Sequence, residues 1–135
     1  MKEYTIRTTS RRQFVDITAQ VREAVAASQV GEGICVVYCP HTTAGITINE
    51  HADPDVVQDL GMVLGRLVPH EDDYAHSEGN SDSHVQCSLI GPSQTLIVHK
   101  GHLVLGTWQG VFFCEFDGPR QRKFFVKVVA ERGGE

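Results

Sequence analysis

Apolar residues fall into two patterns along the chain, and these patterns predict strands and helices in a mixed order. Runs of β-branched and apolar residues bounded by turn residues are typical of strands, and they occur over 3–9, 13–18, 33–40, 44–50, 94–100, 102–108, 111–117 and 122–131. The run over 33–40 is almost continuously apolar, which predicts a buried strand. A tight turn at Lys100-Gly101 and a second turn at Gly118-Pro119 separate strands of the last group.

Helical spacing appears in three segments. The first follows Thr18, a predicted N-cap, and the glycines at 31 and 33 end it. The second begins at Asp53-Pro54, since aspartate caps helices well and proline suits the first helical position. The third is short, is capped by Asp82 or Ser83, and ends at Gly91.

The element order is therefore β-β-α-β-β-α-loop-α-β-β-β-β. This order predicts a single α+β domain over residues 1–135, with mostly antiparallel sheets, two longer helices and one short helix. The length agrees with one domain.

Composition argues against two classes of partner, nucleic acids and membranes. The formal charge of -5 argues against nucleic-acid binding, which requires a basic surface. No apolar run approaches the ~20 residues of a membrane span, so we expect no membrane partner. The four cysteines lack a metal or redox spacing, and free thiols predict a reducing, cytoplasmic location.

Histidine is the unusual residue type, because five of the seven histidines lie between positions 41 and 84. A polar loop of about a dozen residues, 70–82, carries part of this group, and long polar loops in compact domains are often functional. His76 and His84 enclose the stretch HSEGNSDSH. Three histidines with one open position would suit Zn²⁺, but the spacing alone favours a solvated connector that ends in a capped helix.

Two other stretches contain candidate site residues. In CPHTTAGITINEH, His41 either lines a pocket or hydrogen-bonds to the backbone of a turn, and His51 is predicted to lie at the surface. In LGTWQG, Trp108 either stacks on a planar ligand or lies in the core. Arg120 either pairs with Asp117 across a turn or binds phosphate.

Four stretches in this order, CPHTTAGITINE, EGNSDSH, LVLGTWQ and CEFDGPRQRK, resemble the YjbQ family of small proteins. That family is associated with secondary thiamine-phosphate synthase activity, which joins hydroxymethylpyrimidine diphosphate to thiazole phosphate and releases pyrophosphate. The resemblance covers residues 39–123, and it implies an α+β fold and a homotrimer.

The resemblance also implies roles for individual residues. It implies a metal site of His41, His76 and His84 that holds a divalent ion, either zinc or a magnesium ion that arrives with the substrate. Catalytic roles fall on Asn49 and Glu50. Contacts to a phosphorylated substrate fall on Thr42, Thr43, Trp108, Gln109 and Arg120.

Two other functions stay open from the sequence. The same residues would also serve a non-catalytic trimer that binds a metal or a small phosphorylated ligand. In a purely structural or interaction protein, the loop histidines would simply be exposed.

Overall fold

Strands and helices follow the predicted order along the chain. The structure is a computed structural model, and it describes residues 1–132. Within that range the strands are β1 Lys2–Arg7, β2 Gln13–Asp16, β3 Gly33–Tyr38, β4 Ala44–Glu50, β5 Ser93–His99, β6 His102–Leu103, β7 Gln109–Glu115 and β8 Gln121–Ala130. The helices are α1 Thr18–Ser28, α2 Pro54–Leu67 and α3 Ser81–Ile90.

The strands form two sheets, in which every pair described is antiparallel. One sheet has the order β1-β8-β3-β5-β6, and the other has the order β2-β7-β4. The predicted strand over 102–108 is wrong in length, because pairing with β5 stops at Leu103. The chain then turns and enters the other sheet as β7, so the last four strands do not form one continuous sheet.

The central strand of the three-stranded sheet, β7, is buried on both faces over 110–115, which explains its apolar run over 111–114. Val111 and Phe113 join the main core between the two sheets and α1. Phe112 and Cys114 point the other way into a smaller cluster, together with Leu64 of α2. The result is a single compact α+β domain, as predicted.

Local capping differs from the prediction at α1. Thr18 is the first helical residue and not the cap; Ile17 occupies the cap position and offers no side-chain hydrogen bond. The Asp16 carboxylate instead accepts hydrogen bonds from the Thr18 N–H and hydroxyl, at 2.9 and 2.6 Å. The helix ends at Gln29, whose φ of 58° is left-handed, before the glycines are reached.

The second and third helices frame the polar loop. Asp53 caps α2 as predicted, since its side chain accepts from the Asp55 N–H at 2.9 Å. The third helix begins at Ser81 with Asn80 at the cap position, slightly earlier than predicted. Within residues 1–132, no helix has the length and apolar character needed to cross a bilayer.

Candidate functional site

His41 lies where the chain passes from the five-stranded sheet to the three-stranded sheet, between β3 and β4. Its Nε2 atom accepts a hydrogen bond from the backbone N–H of Lys123, 3.0 Å away on β8. Burial lowers the pKa of His41, and the nearby positive charge of Arg122 lowers it further. The ring is therefore neutral at pH 7, with its proton on Nδ1.

A buried ion pair next to His41 explains this electrostatic environment. Arg122 and Glu115 are 3% and 0% exposed, and the Arg122 Nε donates to Glu115 Oε1 at 2.9 Å. Glu115 also accepts from the Thr8 hydroxyl at 2.8 Å and from the Asp117 N–H at 3.0 Å. Burial raises the pKa of Glu115, but these donors and the Arg122 charge outweigh burial and hold the pKa below its usual value.

The same arginine determines the position of Thr43. Its terminal nitrogen donates to the Thr43 hydroxyl at 2.8 Å and to the Thr43 carbonyl at 3.3 Å. Thr43 is 5% exposed, so its hydroxyl is used inside the protein. Thr42, the next residue towards His41, is exposed and is the threonine that a ligand can reach.

An open pocket of about 480 Å³, which we call the His41–His84 pocket, brings two of the predicted histidines together. Its other lining residues include Thr42, Tyr38, Cys87 and Pro92. Pockets of roughly 300–1,000 Å³ are typical of small-molecule sites. The structure therefore unites His41 and His84 from segments far apart in the sequence.

His76 stands beside this pocket and contacts His84. The two rings meet edge to face, with centroids 5.3 Å apart. The Nδ1 atom of His76 lies 3.2 Å from the Ser81 hydroxyl, and its Nε2 lies 3.7 Å from a Glu78 carboxylate oxygen. His76 and His84 thus form an adjacent pair of imidazoles at the start of α3.

The polar loop is exposed along most of its length, yet its end is firmly anchored. Asp82, which is fully buried, accepts from both terminal nitrogens of Arg11 at 3.1 and 3.2 Å. It also lies 3.2 Å from His70 Nδ1. Burial raises the pKa of Asp82, but the hydrogen bonds from Arg11 and His70 lower it more. These contacts fix the loop at His70 and at the first turn of α3.

The three predicted metal histidines do not form a complete site within one chain. Within residues 1–132, no cluster of three or more His, Cys, Asp or Glu side chains is arranged to hold a metal ion. The Nε2 lone pair of His41 already accepts the Lys123 N–H, so it is not offered to an ion in this arrangement. Of the three histidines, His76 and His84 present two neighbouring imidazoles.

A second group of predicted site residues lies at the opposite end of the three-stranded sheet. Glu50 stands opposite Gln109 in the β4–β7 ladder, and Asn49 stands opposite Gly110. The whole of β4 separates this end from His41, which at ~3.3 Å per residue is about 20 Å. One chain therefore does not bring Asn49 and Glu50 to the His41–His84 pocket.

The aromatic candidate at this second end is open to solvent. Trp108 is 63% exposed, so it is not the core tryptophan that was one alternative from the sequence. Its carbonyl accepts the His51 N–H at 2.9 Å. Gln109 Oε1 accepts from the Gly106 N–H at 2.8 Å, and Glu50 Oε2 accepts from the Asp53 N–H at 3.2 Å. The exposed indole is free to contact a ligand or a partner.

Arg120 pairs with Asp117, which was one of its two alternatives. Its Nε donates to the Asp117 carbonyl and a terminal nitrogen donates to the Asp117 carboxylate, both at 2.9 Å. The same carboxylate accepts from the Asn80 amide at 2.9 Å. Half of the Arg120 side chain is exposed, and its phosphate-binding role stays a prediction.

Two thiols border the His41–His84 pocket. The Cys39 and Cys87 sulfurs both approach the His41 carbonyl, at 4.0 and 3.7 Å. Burial raises the pKa of Cys39 to about 11, and it raises the pKa of Cys87 as well. Both thiols are therefore protonated at neutral pH, and neither is an activated nucleophile.

The sequence did not identify two polar contacts beside the candidate residues. The buried pair could have been inferred from the sequence, because Glu115 and Arg122 are charged residues within otherwise apolar strands. His51 was predicted as a surface residue and is exposed, and its Nδ1 also lies 2.9 Å from the Asp16 carboxylate. That contact had no local signal, because 35 positions separate the two residues.

Comparisons with known proteins agree with the motifs. Residues 2–131 match a family described as UPF0047 protein YjbQ-like. A UPF0047 protein of Methanocaldococcus jannaschii is 52% identical over 96% of this chain and 94% of its own length. A crystal structure of an uncharacterised YjbQ/UPF0047 protein from Clostridium acetobutylicum has a TM-score of 0.94 and 54% identity, covering 96% of this chain and all of that one. A protein of unknown function from Sulfolobus solfataricus has a TM-score of 0.93 and 31% identity, over 96% of each chain.

Proposed function

The chain belongs to the YjbQ family of UPF0047 proteins, and from that premise we propose that its His41–His84 pocket binds a small phosphorylated substrate. The proposed reaction is that of a secondary thiamine-phosphate synthase, in which hydroxymethylpyrimidine diphosphate and thiazole phosphate are joined and pyrophosphate leaves. The observation that carries this proposal is the pocket itself, because it is large enough for a small molecule and is lined by His41, Thr42 and His84.

The chemistry requires charge to be neutralised on the leaving diphosphate. As the bond between the pyrimidine methylene carbon and the diphosphate oxygen breaks, the thiazole nitrogen forms a bond to that carbon. His84 and the Thr42 hydroxyl, which line the pocket, would donate hydrogen bonds to phosphate oxygens. The N–H of neutral His41 is a further donor.

In this proposal a divalent ion has two histidine ligands, not the three that the resemblance implied. His76 and His84 would supply two ligands, and oxygens of the bound diphosphate would supply others. Such an ion would stabilise the negative charge that develops on the leaving group. Zinc suits the imidazole ligands, and magnesium suits the diphosphate oxygens.

A homotrimer with sites completed between subunits is the second part of the proposal. The outer face of the five-stranded sheet is apolar, since Ile34, Ile97 and Val129 are side by side in the ladders and are 42%, 61% and 44% exposed. Tyr38 lies further along β3 and lines the His41–His84 pocket. A second copy on this face would cover apolar surface next to the pocket.

Assembly would also explain the separation of the candidate residues. In this proposal a neighbouring copy supplies Asn49, Glu50, Trp108 and Gln109 to a pocket that already holds His41 and His84. Glu50 would act as a base or would orient a substrate group, and the exposed indole would stack on the pyrimidine. Arg120 would bind a phosphate group once its pairing with Asp117 opened.

Pyrophosphate release from the two thiamine precursors tests the activity. Tag-free protein should catalyse it, and His84→Asn and Glu50→Gln should each reduce the rate by about 100-fold, the usual contribution of a positioned acid–base group. His102→Asn is the matched control, because His102 is exposed on β6, away from the pocket lining. Equal rates in all variants would assign the activity to a contaminant.

Mixed oligomers test the composite site. Inactive His84→Asn and Glu50→Gln subunits, unfolded together and refolded, should regain about one quarter of wild-type activity, because a quarter of sites then combine two intact halves. Sites built within single subunits would regain none. Sedimentation should first show a trimer, and a monomer at working concentration would refute the assembly.

The alternative function is non-catalytic binding of a metal or a phosphorylated ligand by the same trimer. The observation in its favour is that one chain brings His41 and His84 to the pocket, whereas the predicted catalytic residues Asn49 and Glu50 lie at the opposite end of β4. A bound metal in tag-free protein, or saturable phosphate binding, without turnover would support this alternative.

A reducing cytoplasmic location is also part of the proposal. The four free cysteines in the described chain fit such a location.

A further inference from the structure

A second histidine is held by a carboxylate outside the His41–His84 pocket. His51 directly follows β4, and its Nδ1 lies 2.9 Å from one oxygen of Asp16, the last residue of β2. The other Asp16 oxygen accepts from both the N–H and the hydroxyl of Thr18. The Thr18 hydroxyl in turn accepts from the Val111 N–H at 2.9 Å, so the carboxylate is fixed to the three-stranded sheet.

The backbone of His51 and one face of its ring are held as well. The main-chain N–H of His51 donates to the Trp108 carbonyl at 2.9 Å. The ring packs on Gly110, where an added Cβ would come within 2.4 Å of His51 Nδ1. A side chain at position 110 would therefore displace the ring, and its position depends on the glycine.

The carboxylate determines which ring nitrogen is available. Burial raises the pKa of Asp16, but the Thr18 and His51 hydrogen bonds outweigh it and hold the pKa below its usual value. An ionised carboxylate only accepts hydrogen bonds, so His51 Nδ1 carries a proton. Since Nδ1 is occupied by Asp16, Nε2 is the ring nitrogen that remains to bind a ligand.

An arginine shares the space next to this histidine. A pocket of about 420 Å³ is lined by Asp16, Thr18, Ala19, Arg22 and His51. Arg22 stands one helical turn after Thr18 on α1, and its side chain is exposed. None of the ion pairs within residues 1–132 involves Arg22.

We propose that His51, oriented by Asp16, and Arg22 form a second small-molecule site that binds an oxyanion such as the phosphate group of a small metabolite. Arg22 supplies a bidentate, permanently charged donor pair. His51 Nε2 accepts a hydrogen bond from a ligand hydroxyl when the ring is neutral and donates to an oxyanion when it is protonated. Within one chain this site lies outside the His41–His84 pocket, and its binding of an oxyanion does not depend on thiamine-phosphate synthesis.

Nuclear magnetic resonance of the histidine rings, with inorganic phosphate as the probe, tests the site on the full chain. The His51 ring signals, assigned by their loss in His51→Gln, should show a proton on Nδ1 in the neutral ring. They should shift saturably as phosphate is added. Arg22→Gln should weaken this binding by about tenfold, as expected for one lost charge-assisted contact.

The matched control is Arg66→Gln, which removes an exposed arginine from α2 and should leave the phosphate affinity unchanged. Asp16→Asn should move the neutral-ring proton towards a mixture of both nitrogens. The proposal is overturned if the His51 signals do not shift saturably below about 10 mM phosphate. It is also overturned if Arg66→Gln weakens binding as much as Arg22→Gln, because the effect would then be general charge attraction.

Discussion

Replacing Arg122 by methionine should destabilise the protein by about 3–5 kcal/mol, because it leaves Glu115 charged and buried without its partner. The substitution preserves most of the side-chain volume while it removes the bonds to Glu115 and to Thr43. The Thr8 hydroxyl and the Asp117 N–H still donate to Glu115. Those two neutral donors do not replace a guanidinium, so most of the penalty for burying the carboxylate remains.

The size of the loss should depend on pH. In the wild type the pKa of Glu115 is below its usual value of 4.5, so its stabilising contribution is present above pH 4.5 and is lost as the pH falls through the lowered value. Without Arg122, burial dominates and raises the pKa of Glu115 above 4.5. The variant then folds best with this carboxyl protonated, so its deficit should be small near pH 4 and should grow towards pH 7.

Urea unfolding at matched protein concentration, at about pH 4 and pH 7, measures both effects. Arg120→Met is the matched control, because it removes the same side chain from an ion pair that is half exposed, and it should cost less than about 1 kcal/mol. A loss for Arg122→Met no larger than for Arg120→Met would refute this account of the buried pair. A loss that did not change with pH would show that Glu115 is not its cause.

Two further predictions concern local features. Asp53→Ala should cost about 1 kcal/mol of unfolding free energy, because the Asp55 N–H at the start of α2 loses its acceptor. Asp53→Asn should keep most of the stability, because its side-chain oxygen still accepts this bond. Equal losses for the two variants in urea unfolding would contradict the capping role. Limited treatment with iodoacetamide at pH 7.5 should modify the half-buried Cys87 first and leave Cys114 intact until the protein unfolds. The reason is that Cys114 is fully buried and burial raises its pKa far above the usual value. Peptide mass spectrometry measures the order, and early modification of Cys114 would show that β7 opens in the native state.

The sequence predicted the elements well where the signal was local. Asp53 and Pro54 define the start of α2 through contacts made within the next few residues. Alternating or continuous apolar runs predict strands for the same reason. The cap of α1 was mispredicted because Thr18, the expected cap, is itself the first helical residue. Its N–H and hydroxyl are bound by the carboxylate of Asp16, two positions earlier.

Contacts between distant segments were harder to predict. The motif resemblance grouped His41 with Glu50 because they are close in sequence, but the intervening strand β4 carries them to opposite ends of a sheet. The reverse holds for His41 and Lys123, which meet although most of the chain separates them. Periodicity predicts which face of a strand is buried, but it does not predict which strand lies alongside.

The strand order also has a consequence for how the chain reaches its native state. The first strand pairs with the last, β1 with β8, and β2 pairs with β7. Such distant pairings close large loops, so we expect slow folding for a domain of this size. Until β8 has been synthesised, β1 has no neighbour in its sheet and one edge of β3 is open. A nascent chain therefore exposes strand edges through most of its synthesis, and this is the stage at which it is most prone to aggregate.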